Sequence, residues 1–419
     1  MNQFLLSVIL RKEAFMAENS QFTILCIASF EKGQEFMRQC KREGARVILL
    51  TSKSLEDADW PRESIDEIFY IPDVNKVWDM KNVIYGVSFL ARTEQIDRIV
   101  ALDDFDVEKA ASLREHLRVP GMGDTTARYF RDKLAMRTRA REEKIPVPDF
   151  VHVLNYRKIN EFAATVPFPY VIKPRLQAGA HGIKKINSSE DLWHTINGLG
   201  DEQSFYVLER FIEGDIYHVD SIIHNMEVRF AVASQYSLPP FEVAHEGRVF
   251  GSRTVKHGSP EEEKLIEINR KVMKGMGLVR GVSHTEFIKS KEDGSFYFLE
   301  TSARVGGANI AELVEAATGI NLWAEWAKIE IGYGKREYKV PAAKNNYAGI
   351  IISLARQEQP DLSGYADEEI VWRMKKKNHA GLIFSSTDHK RIEDLLKQYT
   401  ERFYKDFFAT HPIADIPGS

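Results

Sequence analysis

The sequence predicts a mixed α/β and α+β protein, and two observations support this fold class. Near the N-terminus, apolar strand-like runs alternate with helical patterns, which is typical of a parallel sheet with crossover helices. The runs lie at 22–28, 46–50, 65–71 and 98–102, and the helical patterns lie at 32–43 and 80–92. Further on, from about residue 217 to 330, strand-like runs follow one another closely and indicate a strand-rich segment.

These patterns divide the chain into four segments. We expect a disordered or loosely packed extension at 1–21, an α/β domain at 22–126, a subdomain with a glycine-bearing loop at 127–212, and a last subdomain at 213–419. We do not expect the extension to be a signal peptide, because its apolar run is short and its basic residues follow that run. Between the α/β domain and the next subdomain, a charged helix at 129–144 ends where two prolines follow.

Composition excludes several classes of protein. The chain has 419 residues, a net charge of −4, and the apolar and charged fractions of an ordinary globular protein. The charge gives no sign of nucleic-acid binding, and no apolar run is long enough to span a membrane. Its two cysteines form no metal-binding pattern and no disulfide framework, so a reducing cytoplasm is the expected location.

The segment from His284 to Gly307 carries the strongest chemical signal. Glu286 and Glu300 each close an apolar run, and a turn of the hairpin type, Lys291-Glu292-Asp293-Gly294, lies between them. A hairpin with this turn brings the two carboxylates side by side, where they repel unless a cation lies between them. Magnesium is usually held by one or two carboxylates together with substrate phosphates. The alternative is that both acids are solvated residues on the outer face of a sheet.

The α/β domain shows no dinucleotide signature. Its first strand is followed by residues 28–33, Ala-Ser-Phe-Glu-Lys-Gly, which lack the Gly-x-Gly-x-x-Gly pattern. Asp103 and Asp104 lie at the carboxyl end of a strand of this domain, where their side chains could face a ligand. We expect them to cap the next helix instead.

Two further segments have the features of a nucleotide site. The strand at 169–175 delivers Lys173 and Arg175 from its end, and a glycine-bearing loop at 177–182 follows. Such a unit cradles phosphate oxygens through backbone N–H groups and a lysine charge; the alternative is a plain hairpin with a solvated lysine. The apolar run at 205–209 leads to Gly214 and can line an adenine slot.

With Lys133, Lys173, Glu209, Glu286, Glu300 and Arg304 in this order, the chain resembles the ATP-grasp superfamily, and within it the L-amino-acid ligases. The resemblance covers about residues 22–332, and it implies a domain preceding the ATP-grasp fold and then a two-subdomain ATP-grasp fold. Five motifs carry it, at 132–137, 170–174, 208–214, 284–286 and 300–307.

The resemblance implies a site of ATP and Mg²⁺, with Mn²⁺ as a substitute. Nucleotide contacts are expected from Lys133, Lys173, Gly179, Ala180, His181, Gly182, Glu209, Arg210, Phe211, Ile212, Glu213 and Asp215. Metal ligands are expected at Glu286, Glu300 and Ser302, and catalytic roles at Arg304 and Lys173. Three departures from the family pattern affect this assignment: Ser302 replaces an asparagine, Ala180 replaces the usual serine of the loop, and the ribose partner is left open between Glu213 and Asp215.

The function that the resemblance implies is carboxylate–amine ligation through an acyl phosphate, with release of ADP and phosphate. The substrates would be a small carboxylate, an amino acid by this resemblance, and an amine, and the chain is compatible with a homodimer. The alternatives are a carboxylase or purine-pathway-type ligase that activates bicarbonate, and a regulator that binds ATP without turnover. His284 and His257 are the candidates for a general base.

Overall fold

The N-terminal sheet is parallel, as the alternation of apolar runs and helices predicts. The structure, a computed structural model, describes residues 21–177, 182–238 and 248–409. In chain order this domain contains β1 (Thr23–Ala28), α1 (Gln34–Arg42), β2 (Arg46–Ser52), β3 (Glu67–Ile71), β4 (Asp73–Val74), β5 (Val77–Trp78), α2 (Met80–Leu90), β6 (Arg98–Ala101) and α3 (Val107–Leu117). The sheet order is β3-β2-β1-β6, and β4 and β5 form a separate hairpin. Every residue of β1 is buried, because helices cover both faces of the sheet.

The second part of the chain contains a small antiparallel sheet. It begins with α4 (Asp124–Arg128) and α5 (Lys133–Glu142), followed by β7 (Phe150–His152), α6 (Tyr156–Thr165), β8 (Tyr170–Pro174), β9 (Lys184–Ile186), α7 (Ser189–Leu199) and β10 (Tyr206–Arg210). The order is β7-β10-β8-β9. The helix expected at 129–144 starts only at Lys133, because the Asp132 carboxylate caps it and accepts hydrogen bonds from the backbone N–H groups of Leu134 and Ala135.

The third part is organised around a large antiparallel sheet. Its elements are β11 (Gly214–His224), β12 (Glu227–Tyr236), β13 (Phe250–Thr254), α8 (Pro260–Met276), β14 (Arg280–Ser290), β15 (Phe296–Ser302), α9 (Ile310–Thr318), α10 (Leu322–Gly332), β16 (Tyr347–Leu354), β17 (Ile370–Arg373), β18 (His379–Ser386) and α11 (His389–Asp406). The order is β15-β14-β11-β12-β13-β16-β18-β17. The mixed fold class expected from the sequence is therefore confirmed.

The main hydrophobic core joins the first and third parts. It contains Phe36 on α1, Val232 on β12 and Trp326 on α10, all buried. One face of the parallel sheet, with α1, is consequently packed against α10 and the large sheet. In the ranges that the structure describes, no helix has both the length and the apolarity to cross a membrane.

Candidate active site

The two carboxylates singled out in the sequence lie on one hairpin. β14 and β15 are joined by the expected turn, where Gly294 adopts a positive φ of 69°. Glu286 is directly opposite Glu300 in the register, and a bulge follows this pair. Bulges near active sites bend the strand and change where side chains point. Here the carbonyl of the bulged residue Leu299 accepts a hydrogen bond from the guanidinium of Arg137.

Lys133 connects the second part of the chain to this hairpin. It is the first residue of α5, and its Nζ lies 2.9 Å from Glu300 Oε2 and donates to the carbonyl of Gln177 at 2.6 Å. The cap residue Asp132 is held in turn by Arg175. Burial raises the pKa of Glu300, but the charge of Lys133 outweighs burial and holds the pKa below its usual value. Glu300 is therefore ionised at neutral pH.

A buried ion cluster lies beside the first pair. The carboxylate of Glu209 forms two ion pairs: its Oε2 lies 2.7 Å from Lys173 Nζ, and its Oε1 lies 3.0 Å from Arg137 Nε. Burial lowers the pKa of Lys173 to about 8; the charge of Glu209 opposes this effect, and the charges of Arg137 and Lys133 add to it. The carboxylate of Glu209 is thus engaged by two cations.

A cavity of about 640 Å³ opens next to Lys173, between the small sheet and the large sheet. All six hinge positions expected to contact a nucleotide line it: Glu209, Arg210, Phe211, Ile212, Glu213 and Asp215. Arg210 forms an ion pair with Glu292, and Glu213 one of 3.0 Å with Lys291. Of the predicted loop, Gly182 is described and has a positive φ of 71°; Gly179, Ala180 and His181 lie outside the described residues.

Arg304 leaves the end of β15 and pairs with Asp104 of the N-terminal domain. Both side chains are nearly buried. Burial opposes the charged form of each, yet their attraction outweighs burial, lowering the pKa of Asp104 and raising that of Arg304. The expectation that both aspartates cap a helix was wrong for Asp104. Only Asp103 does so, by accepting a hydrogen bond from the backbone N–H of Phe105.

A buried polar network that the sequence analysis did not predict lies next to the hairpin. The carboxylate of Asp220 is hydrogen-bonded to His218 Nδ1 at 2.7 Å and to His284 Nδ1 at 2.9 Å. The other ring nitrogen of His284, Nε2, lies 3.5 Å from the carboxylate of Glu286. The Tyr236 hydroxyl donates to Glu286 at 2.9 Å. Burial lowers the pKa of His284, but Asp220 outweighs this effect and raises it to about 9.

The network supports Glu286 rather than forming a second ion site. Together His218, Asp220 and His284 have a donor set that could hold a metal, but both Nδ1 atoms are engaged by the one carboxylate. The sequence signal that could have revealed this network is the pair of polar residues at alternate positions, 218 and 220, of an otherwise apolar strand. The expected metal ligand Ser302 is opposite His284 in the register of β14 and β15. The other candidate base, His257, forms a hydrogen bond with Glu262 and stacks on Tyr347.

Comparison with known proteins places this geometry in a family. Residues 130–308 match the family described as ATP-grasp domain, and they include both carboxylates, the two lysines and the cavity-lining segment. Over this part of the chain, the match agrees with the resemblance seen in the sequence.

Among relatives, the chain is similar to the L-arginine-specific L-amino acid ligase of Bacillus subtilis, with 26% identity over 272 residues. That alignment covers 64% of this chain and 64% of the ligase, so the chain spans under two thirds of the relative's length.

Solved structures share the fold over nearly the whole chain. An L-amino acid ligase from Bacillus licheniformis superposes with a TM-score of 0.74 at 16% identity, covering 94% of this chain and 99% of that one. The N5-carboxyaminoimidazole synthetase from Staphylococcus aureus complexed with ADP gives 0.67 at 16% identity, covering 91% and 98%. At these identities the likeness establishes the fold alone.

Proposed function

We propose that this protein is an ATP-dependent carboxylate–amine ligase that forms an amide or peptide bond and releases ADP and phosphate. The observation that supports this most is the placement of Glu286 directly opposite Glu300, near the cavity that Lys173 and residues 209–216 line. The similarity to an L-arginine-specific L-amino acid ligase favours amino acids as substrates. We further propose a cytoplasmic location, the four-segment division given above, and a homodimer.

The residues present fit ATP and Mg²⁺. The cavity is large enough for a nucleoside, and its apolar residues Phe211, Ile288 and Leu299 suit the faces of a purine ring. The carboxylates of Glu286 and Glu300 are hard oxygen ligands of the kind Mg²⁺ takes, with Mn²⁺ as a substitute, and Ser302 would assist through its hydroxyl. When bound, the ion would neutralise charge on the phosphate oxygens.

In the reaction we propose, a carboxylate oxygen of the first substrate attacks the γ-phosphorus of ATP, and the bond to the ADP oxygen breaks. The amine of the second substrate then attacks the acyl carbon, phosphate leaves, and the nitrogen loses a proton. Lys133 and Lys173 would hold phosphate oxygens, and Arg304 would bind the transferred phosphoryl group or the tetrahedral intermediate. Because several anions meet here, catalysis rests on positioning and charge neutralisation.

Arg304 and Lys133 are held ready for these roles by acidic partners. Asp104 fixes the guanidinium of Arg304, and Glu300 fixes the ammonium of Lys133. With Glu300 among the residues that would hold the ion, the ammonium of Lys133 would be available to bind a phosphate oxygen. Hydrogen bonds from Tyr236 and the nearby His284 would keep Glu286 oriented toward the ion.

An ADP-release assay over pairs of amino acids tests the proposal. We expect release that requires both an acid and an amine, with a condensed product of the matching mass. Glu300→Gln serves as the inactive control, and Glu292→Gln, an exposed acid on the same hairpin, as the active one. ADP release with bicarbonate but with no pair of amino acids would assign the chain to carboxylation. Absence of release with every acid and amine would make it a regulator.

A further inference from the structure

A second cavity lies between the N-terminal domain and the ATP-grasp domain, and it shares no lining residue with the cavity beside Lys173. Its volume is about 200 Å³. Its walls are formed by Ile99 of β6, the segment 121–126, the start of β14 and α10. Val279 at its edge is 41% exposed, which leaves a route to solvent.

Positive charge exceeds negative charge at this cavity. Arg114 and Arg280 line it together with a single acid, Glu330, and Arg98 Nε lies 3.8 Å from the same Glu330 carboxylate. Glu330 therefore pairs with two guanidinium groups, those of Arg98 and Arg280. It accepts a hydrogen bond from Arg280 Nε at 2.8 Å and one from the indole Nε1 of Trp326 at 3.3 Å.

Several donors of these arginines are unused. Arg114 donates from Nε to the Ile99 carbonyl and from Nη1 to the Met122 carbonyl, and within the described residues its Nη2 has no partner. Arg98 Nε is buried and makes no hydrogen bond there either. Burial lowers the pKa of Arg114 to about 10, with Arg280 adding to the effect and Glu330 opposing it. Buried charge of one sign is costly unless a counter-charge is supplied.

We propose that this cavity, lined by Arg114 and Arg280, binds a small oxyanion. Two guanidinium groups line it against one carboxylate, which leaves a formal excess of one positive charge that such a ligand neutralises. Arg98 adds no further excess, because Asp97 acts on it as a second counter-charge. Guanidinium groups match the oxygens of phosphate and of carboxylate pairs in geometry. Glycine at position 121 lets the Arg114 side chain lie against the wall, since a Cβ there would come within 2.6 Å of Arg114 Cδ. Nothing in this proposal requires the ligase activity.

Calorimetric titration of the full chain tests the proposal, with inorganic phosphate and succinate as separate probes. We expect saturable binding of one equivalent of at least one probe. Arg280→Gln should weaken it by at least about tenfold, because a hydrogen bond to a charged group contributes more than that factor. Thr126→Phe, which fills the cavity without removing a charge, should weaken it as well. Arg157→Gln is the matched control, since Arg157 is 81% exposed and remote from the cavity walls.

The outcomes separate the proposal from its alternatives. Absence of saturable binding of both probes overturns it. Binding that both cavity variants leave unchanged also overturns it, and would assign the ion to another site such as the phosphate-binding lysines. If Arg280→Gln does not fold, Thr126→Phe alone decides the question, because it keeps every charge and hydrogen bond that the three arginines make.

Discussion

Lys173 gives the proposed reaction a pH dependence that one substitution should remove. Burial lowers the pKa of its ammonium from the usual 10.5 to about 8, so in the free enzyme the side chain is charged below about pH 8 and neutral above it. If the cation binds the triphosphate, kcat/KM for ATP should fall about tenfold for each pH unit above 8. The fall in kcat should begin at higher pH, because bound phosphate stabilises the ammonium and raises the pKa of Lys173.

The assay is a pH profile of kcat/KM for ATP, taken with the amine substrate saturating. Deprotonation of the amine speeds its attack as pH rises, so it acts in the opposite direction to the loss of the Lys173 charge. Lys173→Arg should abolish the alkaline fall, since arginine keeps its charge throughout the range. Lys185→Arg, a change on the wall of the same cavity, should keep it. A wild-type profile that is flat up to about pH 9.5, or a fall that persists in Lys173→Arg, would show that the charge of Lys173 does not set the pH dependence.

Two further predictions concern acids of the site. Glu300→Gln and Glu286→Gln should each lower kcat about a hundredfold or more, because phosphate repulsion is then less neutralised; near-normal rates in both variants at saturating Mg²⁺ would reject the metal assignment. Glu209→Gln leaves two buried cations without their counter-charge and should lower the free energy of unfolding by about 3–5 kcal/mol in urea denaturation. Glu292→Gln, whose side chain is 75% exposed, should change it by about 1 kcal/mol or less, and an equal loss in both variants would contradict the claim.

Local signals predicted the hairpin well. The turn at 291–294 and the alternating apolar positions around it predict a hairpin in which Phe287 faces Phe298. Continued without a break, that register would set Glu286 opposite Leu299. The bulge at Leu299, which the pattern does not reveal, brings Glu300 opposite Glu286 instead. The parallel N-terminal strands were equally accessible, because buried strands are continuous apolar runs. Helix ends were harder to predict from the sequence. The helix α5 starts at Lys133 because Asp132 caps it, and the helical pattern at 129–144 does not show this start.

Contacts between distant segments were not predictable from patterns. Asp104 looked like a helix cap because its neighbours in the chain permit one, and only the docking of the N-terminal domain brings Arg304 to it. The joint pairing of Glu209 with Lys173 and Arg137 likewise needs β8, β10 and α5 to meet. Each of these contacts depends on tertiary packing, which a single sequence does not display.

Phosphorus NMR of a complete reaction mixture distinguishes the proposed acyl-phosphate route from activation as an adenylate. With ATP, Mg²⁺ and a productive pair of amino acids, we expect ADP and inorganic phosphate in amounts equal to the amide formed. An enzyme that activates its acid as an adenylate would instead release AMP and pyrophosphate. Pyrophosphate as the stoichiometric product would rule out the acyl-phosphate route.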